Sequence, residues 1–108
     1  PYTAAVFPLV NKDGLPEKAK EVYNQLKQCY DVYYDDSGSI GKRYARADEA
    51  GTCWCVTIDY ESLNNEDVTI RDRDSTKQVR VKIKDLTNVI WKLMNGEVKF
   101  EKVGKLVK

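Results

Sequence analysis

Apolar positions along this chain fall into two periodicities, and these predict its elements. Residues 4–10 (AAVFPLV) form an uninterrupted apolar run, the pattern of a strand buried on both faces, as in parallel sheets. Asn11-Lys12-Asp13-Gly14 breaks the run, and Leu15, Ala19, Val22, Tyr23, Leu26 and Tyr30 then recur at helical spacing. With Pro16 in the first turn, a helix over 15–30 is predicted. Residues 31–35 (DVYYD) read as a short strand and 36–39 as a loop. Ile40, Tyr44 and Ala47 form the inner stripe of a helix over 40–50, stopped by Gly51. Residues 53–60 (CWCVTIDY) make a second strongly apolar strand, β-branched and aromatic.

Residues 61–67 are polar and read as a loop, while 68–72 and 78–83 read as strands joined by the polar turn Arg73-Asp74-Ser75-Thr76. Leu86, Val89, Ile90 and Leu93 mark a last helix closed by Asn95-Gly96. The order is β-α-β-α-β-β-β-α: an α/β domain with a mixed five-stranded sheet and three helices, parallel where βαβ units connect strands and antiparallel at the hairpin. Residues 1–97 are assigned to this domain, and 98–108 to a lysine-rich C-terminal tail expected to pack loosely.

Composition narrows the function classes. Of 108 residues, 42% are hydrophobic and 32% charged, with a formal net charge of +1. Those proportions belong to a folded domain, and the charge balance argues against coating nucleic acid through bulk charge while leaving room for a local basic patch. No apolar run approaches the ~20 residues of a membrane span, no secretory signal is visible, and no membrane partner is expected. The chain begins at Pro1 without Met and is expected to be a piece of a longer polypeptide.

The absence of histidine removes every Ser-His-Asp and Cys-His arrangement from this chain. With only Cys29, Cys53 and Cys55 as thiols, a tetrahedral zinc site lacks ligands, and an odd count with a one-residue gap is no disulfide framework. Reduced thiols in a reducing compartment are expected. Gly38-Ser39-Ile40-Gly41-Lys42 has two residues between its glycines, where a phosphate loop needs four. Cys53 and Cys55 share a strand face and read as core residues, because a redox pair favours C-x-x-C at a helix start. No carboxylate pair stands out as an acid–base couple. The chain is therefore expected to bind a partner and to have no catalytic residues, no cofactor and no metal of its own.

The local distribution of positive charge points to that partner. Lys42, Arg43 and Arg46 lie on one helix, Arg46 four residues after Lys42 and three after Arg43; the structural alternative is a solvated face with Glu49 pairing Arg46. In the hairpin, Val68 and Ile70 alternate with Thr69, Arg71 and Arg73, and Val79, Val81 and Ile83 alternate with Arg80, Lys82 and Lys84. A period of two sends the apolar set to one face and the basic set to the other. A sheet face free of helices and studded with Arg suits unpaired RNA bases; the alternative is an edge hairpin protected from aggregation by its charges.

The same segments carry a family resemblance. Residues 39–51 (SIGKRYARADEAG), 56–60 (VTIDY), 69–75 (TIRDRDS), the opening 6–16 (VFPLVNKDGLP) and the tail 94–98 (MNGEV) resemble the C-terminal anticodon-binding domain of glycyl-tRNA synthetases of the archaeal and eukaryotic type. The resemblance covers nearly the whole chain. It implies a class II parent whose catalytic domain, N-terminal to this piece, uses ATP and magnesium to join glycine to tRNA, and which forms a homodimer in the cytoplasm or, in another form, an organelle. It implies as tRNA-binding residues Asp36, Lys42, Arg43, Arg46, Glu61, Arg71 and Arg73. Arg71 and Glu61 would read base edges of the tRNA(Gly) anticodon, and Lys42, Arg43 and Arg46 would hold phosphates. The chain departs from the family at Lys42, where many relatives have Arg, at Ala47, where a polar residue is frequent, and at Cys53-Trp54. An internal Arg71–Asp72–Arg73–Asp74 salt-bridge ladder is the structural alternative for the turn. Two other functions fit the same fold: a protein-interaction scaffold, as in the accessory subunit of mitochondrial DNA polymerase, and a thiol redox domain using Cys53 and Cys55.

Overall fold

A computed structural model describes residues 2–107. Its strands are β1 (Ala4–Pro8), β2 (Val32–Tyr34), β3 (Trp54–Ile58), β4 (Asp67–Asp72), β5 (Gln78–Lys82) and β6 (Lys105–Val107). The helices are α1 (Leu15–Lys27), α2 (Ile40–Ala50), α3 (Tyr60–Asn65) and α4 (Ile83–Met94), with a 3₁₀ turn at Phe100–Lys102. The sheet order is β2-β1-β3-β4-β5-β6. The first three strands run parallel and the rest antiparallel.

The mixed α/β class is as expected, with three differences among the described residues. First, residues 60–65 are helical because Asp59 caps them: its carboxylate accepts from the Ser62 amide while the Ser62 hydroxyl accepts from the Asp59 amide. A helix this short has no room to show an apolar period. Second, α4 starts at Ile83, so Ile83 and Lys84 leave the hairpin ladder. Third, the tail is seated in the sheet. Phe100 and Val103 pack on the core, and β6 pairs antiparallel with β5.

The two sheet faces are treated differently. Alternate residues Ala4, Val6, Val56, Ile58, Val68, Ile70, Val79 and Val81 point to one face, where they meet α1 through Leu15, Ala19, Val22 and Leu26, and α4 through Leu86, Val89 and Ile90. The opposite face has a smaller core of Ala5, Phe7, Cys55 and Ala47 under Tyr33, Ile40 and Tyr44. This core spans β2, β1 and β3 and is covered by α2 alone. On the same face, no helix among the described residues lies over the β4-β5-β6 half. Its two rows follow from the pairing: Cys55–Arg71–Gln78–Val107 and Thr57–Thr69–Arg80–Lys105.

Candidate nucleic-acid interface

α2 forms one wall of this open half-sheet. Its start is set by Ser39, whose hydroxyl accepts from the Lys42 amide at 3.3 Å. Its end is set by Gly51 at φ 80, a left-handed conformation that glycine adopts without a Cβ penalty. Tyr44 and Asp48 lie one turn apart on the helix, so they reach the same place. There they hold Arg71. Asp48 accepts both terminal nitrogens of Arg71, at 2.9 and 3.2 Å, and the guanidinium carbon lies 4.9 Å from the centre of the Tyr44 ring. The Tyr44 hydroxyl lies 2.8 Å from the Thr57 hydroxyl. Arg71 is thus locked in place, with its side chain 13% exposed.

One row along, Arg80 is enclosed by carboxylates. It donates to Asp59 and, at 2.8 Å, to Asp67, and its Nε pairs with Glu61 at 3.0 Å. Burial works to raise the Asp59 carboxyl, but the Arg80 hydrogen bonds and charge, with the Ser62 bonds, hold it below its ordinary 3.8. Glu61 remains 63% exposed at the rim. This cluster is acceptor-rich, suited to the amino groups of bases and, on its own, unsuited to phosphate.

The seven residues assigned from sequence divide sharply. Lys42 is exposed and enters no ion pair among the described residues, as a phosphate contact requires. Glu61 and Arg71 both border the open half-sheet. Arg73 is half-buried at the C-terminal end of α2, pairing with Asp74 at 3.3 Å and lying 3.4 Å from where a Cβ on Gly51 would stand. Arg46 pairs with Asp35 at 2.9 Å and with Ser37, not with Glu49. Asp36 accepts from the Tyr34 hydroxyl at 3.1 Å.

Arg43 requires a correction. It is 2% exposed and donates to the carbonyls of Pro8 and Asp35 at 2.6 and 3.3 Å, with Leu9 and Gly38 carbonyls at 3.4 and 3.5 Å. Its guanidinium lies 5.5 Å from the Phe7 ring centre. It is an internal brace joining the ends of β1 and β2 to α2, and it does not reach solvent to hold phosphate. The Arg71–Asp74 ladder is also absent: Asp72 is taken by Ser75, and only Arg73–Asp74 pairs along the turn.

Sequence reasoning missed Asp48 and Tyr44 as the clamp on Arg71, although their four-residue spacing on a helix facing the sheet was a usable signal. It placed Arg80 on the basic face without recognising it as the organiser of Glu61. Cys55 does not favour redox chemistry: burial pushes its thiol up to about 12, against the opposing charge of Arg71. Among the described residues, no helix is long and apolar enough to cross a membrane.

Comparison with known proteins agrees with this geometry. A family model described as an anticodon binding domain matches residues 3–93. The glycine–tRNA ligase of Rhodopirellula baltica is 55% identical over 96 residues, spanning 89% of this chain and 18% of that protein. That of Borrelia hermsii is 52% identical over 90 residues, 83% of this chain and 20% of that protein. The chain thus spans about a fifth of the length of these curated relatives. A prolyl-tRNA synthetase structure from Cryptosporidium parvum shares the fold with a TM-score of 0.80 at 21% identity, covering 89% of this chain and 21% of that one. The RNA binding domain of a threonyl-tRNA synthetase from Cryptosporidium parvum Iowa II gives 0.74 at 23% identity, covering 82% of this chain and 22% of that one. A family match over most of the chain, on a sheet with one half-face left open beside a clamped arginine, means that this chain belongs to the anticodon-binding-domain family.

Proposed function

We propose that this chain is the anticodon-recognition module of a glycine–tRNA ligase and binds the anticodon stem-loop of tRNA(Gly). The chemistry of the parent, ATP-dependent attachment of glycine with magnesium, belongs to a catalytic domain outside these 108 residues. The parent acts as a homodimer in the cytoplasm. The observation that supports this reading most is the near-half to 55% identity with glycine–tRNA ligases over 80% or more of the chain.

The open half-sheet supplies the recognition. Arg71 cannot swing, because Asp48 and Tyr44 fix it, so its remaining donor edge meets a base in one orientation. Glu61 offers the complementary acceptor. Such a fixed donor–acceptor pair discriminates bases, whereas Lys42 only positions the backbone. Most arginines here are already neutralised by acids, so binding draws little on bulk charge, in keeping with the net charge of +1.

The test uses the 108-residue chain and a labelled RNA hairpin carrying the tRNA(Gly) anticodon loop. Arg71→Ala is expected to cost about 1–3 kcal/mol and to blur the preference for the cognate loop. Lys42→Ala is expected to weaken all loops alike and to flatten the salt dependence. Equal, salt-insensitive binding by both variants refutes these roles.

A further inference from the structure

The C-terminal strand carries an unneutralised cation onto the open face. Gly104 approaches β5 so closely that a Cβ there would stand 2.4 Å from the Arg80 carbonyl oxygen and 2.6 Å from Val81 Cγ1. Only a residue without a side chain lets this segment dock, and docking sets the register in which Lys105 lies opposite Arg80 and Val107 opposite Gln78. In an antiparallel pair, directly opposed residues project to the same face, so Lys105 and Val107 extend the two polar rows of the half-sheet by one strand.

Lys105 and Val107 also border a cleft. Glu61, Arg80, Lys105, Leu106 and Val107 line a space of about 480 Å³, inside the ~300–1,000 Å³ typical of small-ligand sites. Charge decides what the cleft accepts. Asp59, Asp67 and Glu61 together outweigh Arg80, so that side takes amino-group donors and repels phosphate. Lys105 is exposed and makes no ion pair among the described residues, and it lies on the neighbouring strand, directly beside Arg80. Val107, 40% exposed, follows two residues along the same strand, across from Gln78, and offers an apolar surface beside Lys105.

We propose that this cleft holds one unstacked nucleotide of the bound RNA, with its phosphate on Lys105, its base against Val107 and a base amino group on Glu61. This rests on the RNA-binding reading above and adds to it a phosphate contact from the tail. The tail lies beyond the residues matched by the family model.

The experiment measures affinity of the 108-residue chain for the same anticodon-loop hairpin across a salt series. One contact to single-stranded phosphate contributes about 0.7 to the slope of log affinity against log salt, or about fivefold in affinity at 0.1 M salt. Lys105→Gln is expected to lose that increment and Lys105→Arg to retain it. Gly104→Ala is expected to lose it with no change of charge, because β6 no longer seats. Lys102→Gln, which alters the tail charge away from the cleft, is expected to bind like the parent chain. Tight binding by Lys105→Gln with an unchanged slope overturns the nucleotide site and leaves the RNA-binding reading standing. Failure of the unsubstituted chain to bind the hairpin overturns both.

Discussion

Replacing Arg43 by Met separates an internal brace from a phosphate contact. The substitution keeps much of the aliphatic length but leaves the carbonyls of Pro8 and Asp35, bonded at 2.6 and 3.3 Å, facing a thioether. A hydrogen bond to a charged group contributes about 1.5–3 kcal/mol, so the two bonds together represent roughly 3–6 kcal/mol. The arginine faces no carboxylate of its own and its Nε finds no partner, so removing a buried charge offsets part of this. A net loss of about 3 kcal/mol remains. Against the ~5–15 kcal/mol typical of a domain, that is a large fraction, and it lowers Tm by about 12–24 °C at ~4–8 °C per kcal/mol. Urea unfolding followed by far-UV circular dichroism reads the change as a lower midpoint at unchanged slope. Arg43→Lys is expected to fall nearly as far, because one ammonium cannot span carbonyls on β1 and in the loop after β2. A normal midpoint, together with loss of the salt-dependent part of RNA binding, refutes the brace and restores the phosphate role.

Two further outcomes follow from the ionisable groups. The Asp59 carboxyl is held below its ordinary 3.8 in the folded chain, so its contribution is complete above about pH 4 and is lost as pH falls through the depressed value; Asp35 is shifted the same way. Asp59→Asn is therefore expected to be less stable near neutrality and to lose less stability between pH 4 and pH 2 than the parent in urea titrations; identical acid limbs contradict the Arg80–Asp59 linkage. Cys55, with its thiol at about 12, is expected to resist iodoacetamide until the chain unfolds, while the exposed Cys29 reacts in the folded state. Mass mapping of the alkylated sites checks this, and rapid labelling of Cys55 in the folded chain contradicts its burial.

Much of the fold was legible because it is written in local periodicity. The unbroken 4–10 run, the 15–30 stripe and the alternation across 68–83 each state how many faces of an element are buried. Element boundaries and the two short additions were not legible. α3 depends on a reciprocal cap between Asp59 and Ser62, and β6 depends on a glycine fitting against a distant strand. Neither leaves a hydrophobic period. The polar face of the hairpin was also legible, since a period of two dictates it, and so was the presence of Arg71 and Glu61 beside it; its expected basic character was not met, because carboxylates enclose Arg80 and Lys84 belongs to α4.

What the linear order of residues could not carry was the fate of each charge. Arg43 and Lys42 are neighbours in one motif, yet one is sealed among carbonyls and the other stands in solvent, because a helix turns about 100° per residue and only packing decides which side faces in. Arg71 and Arg80 look alike on their strands, yet Asp48 clamps one and three acids from two other segments enclose the other. The amino-acid sequence by itself determined the elements, the polar half-face and the family. The tertiary structure decided which arginines are braces, which are fixed donors, and that the tail lays Lys105 beside Arg80 on the polar half-face, since ion pairing and desolvation depend on distances between residues far apart in the chain.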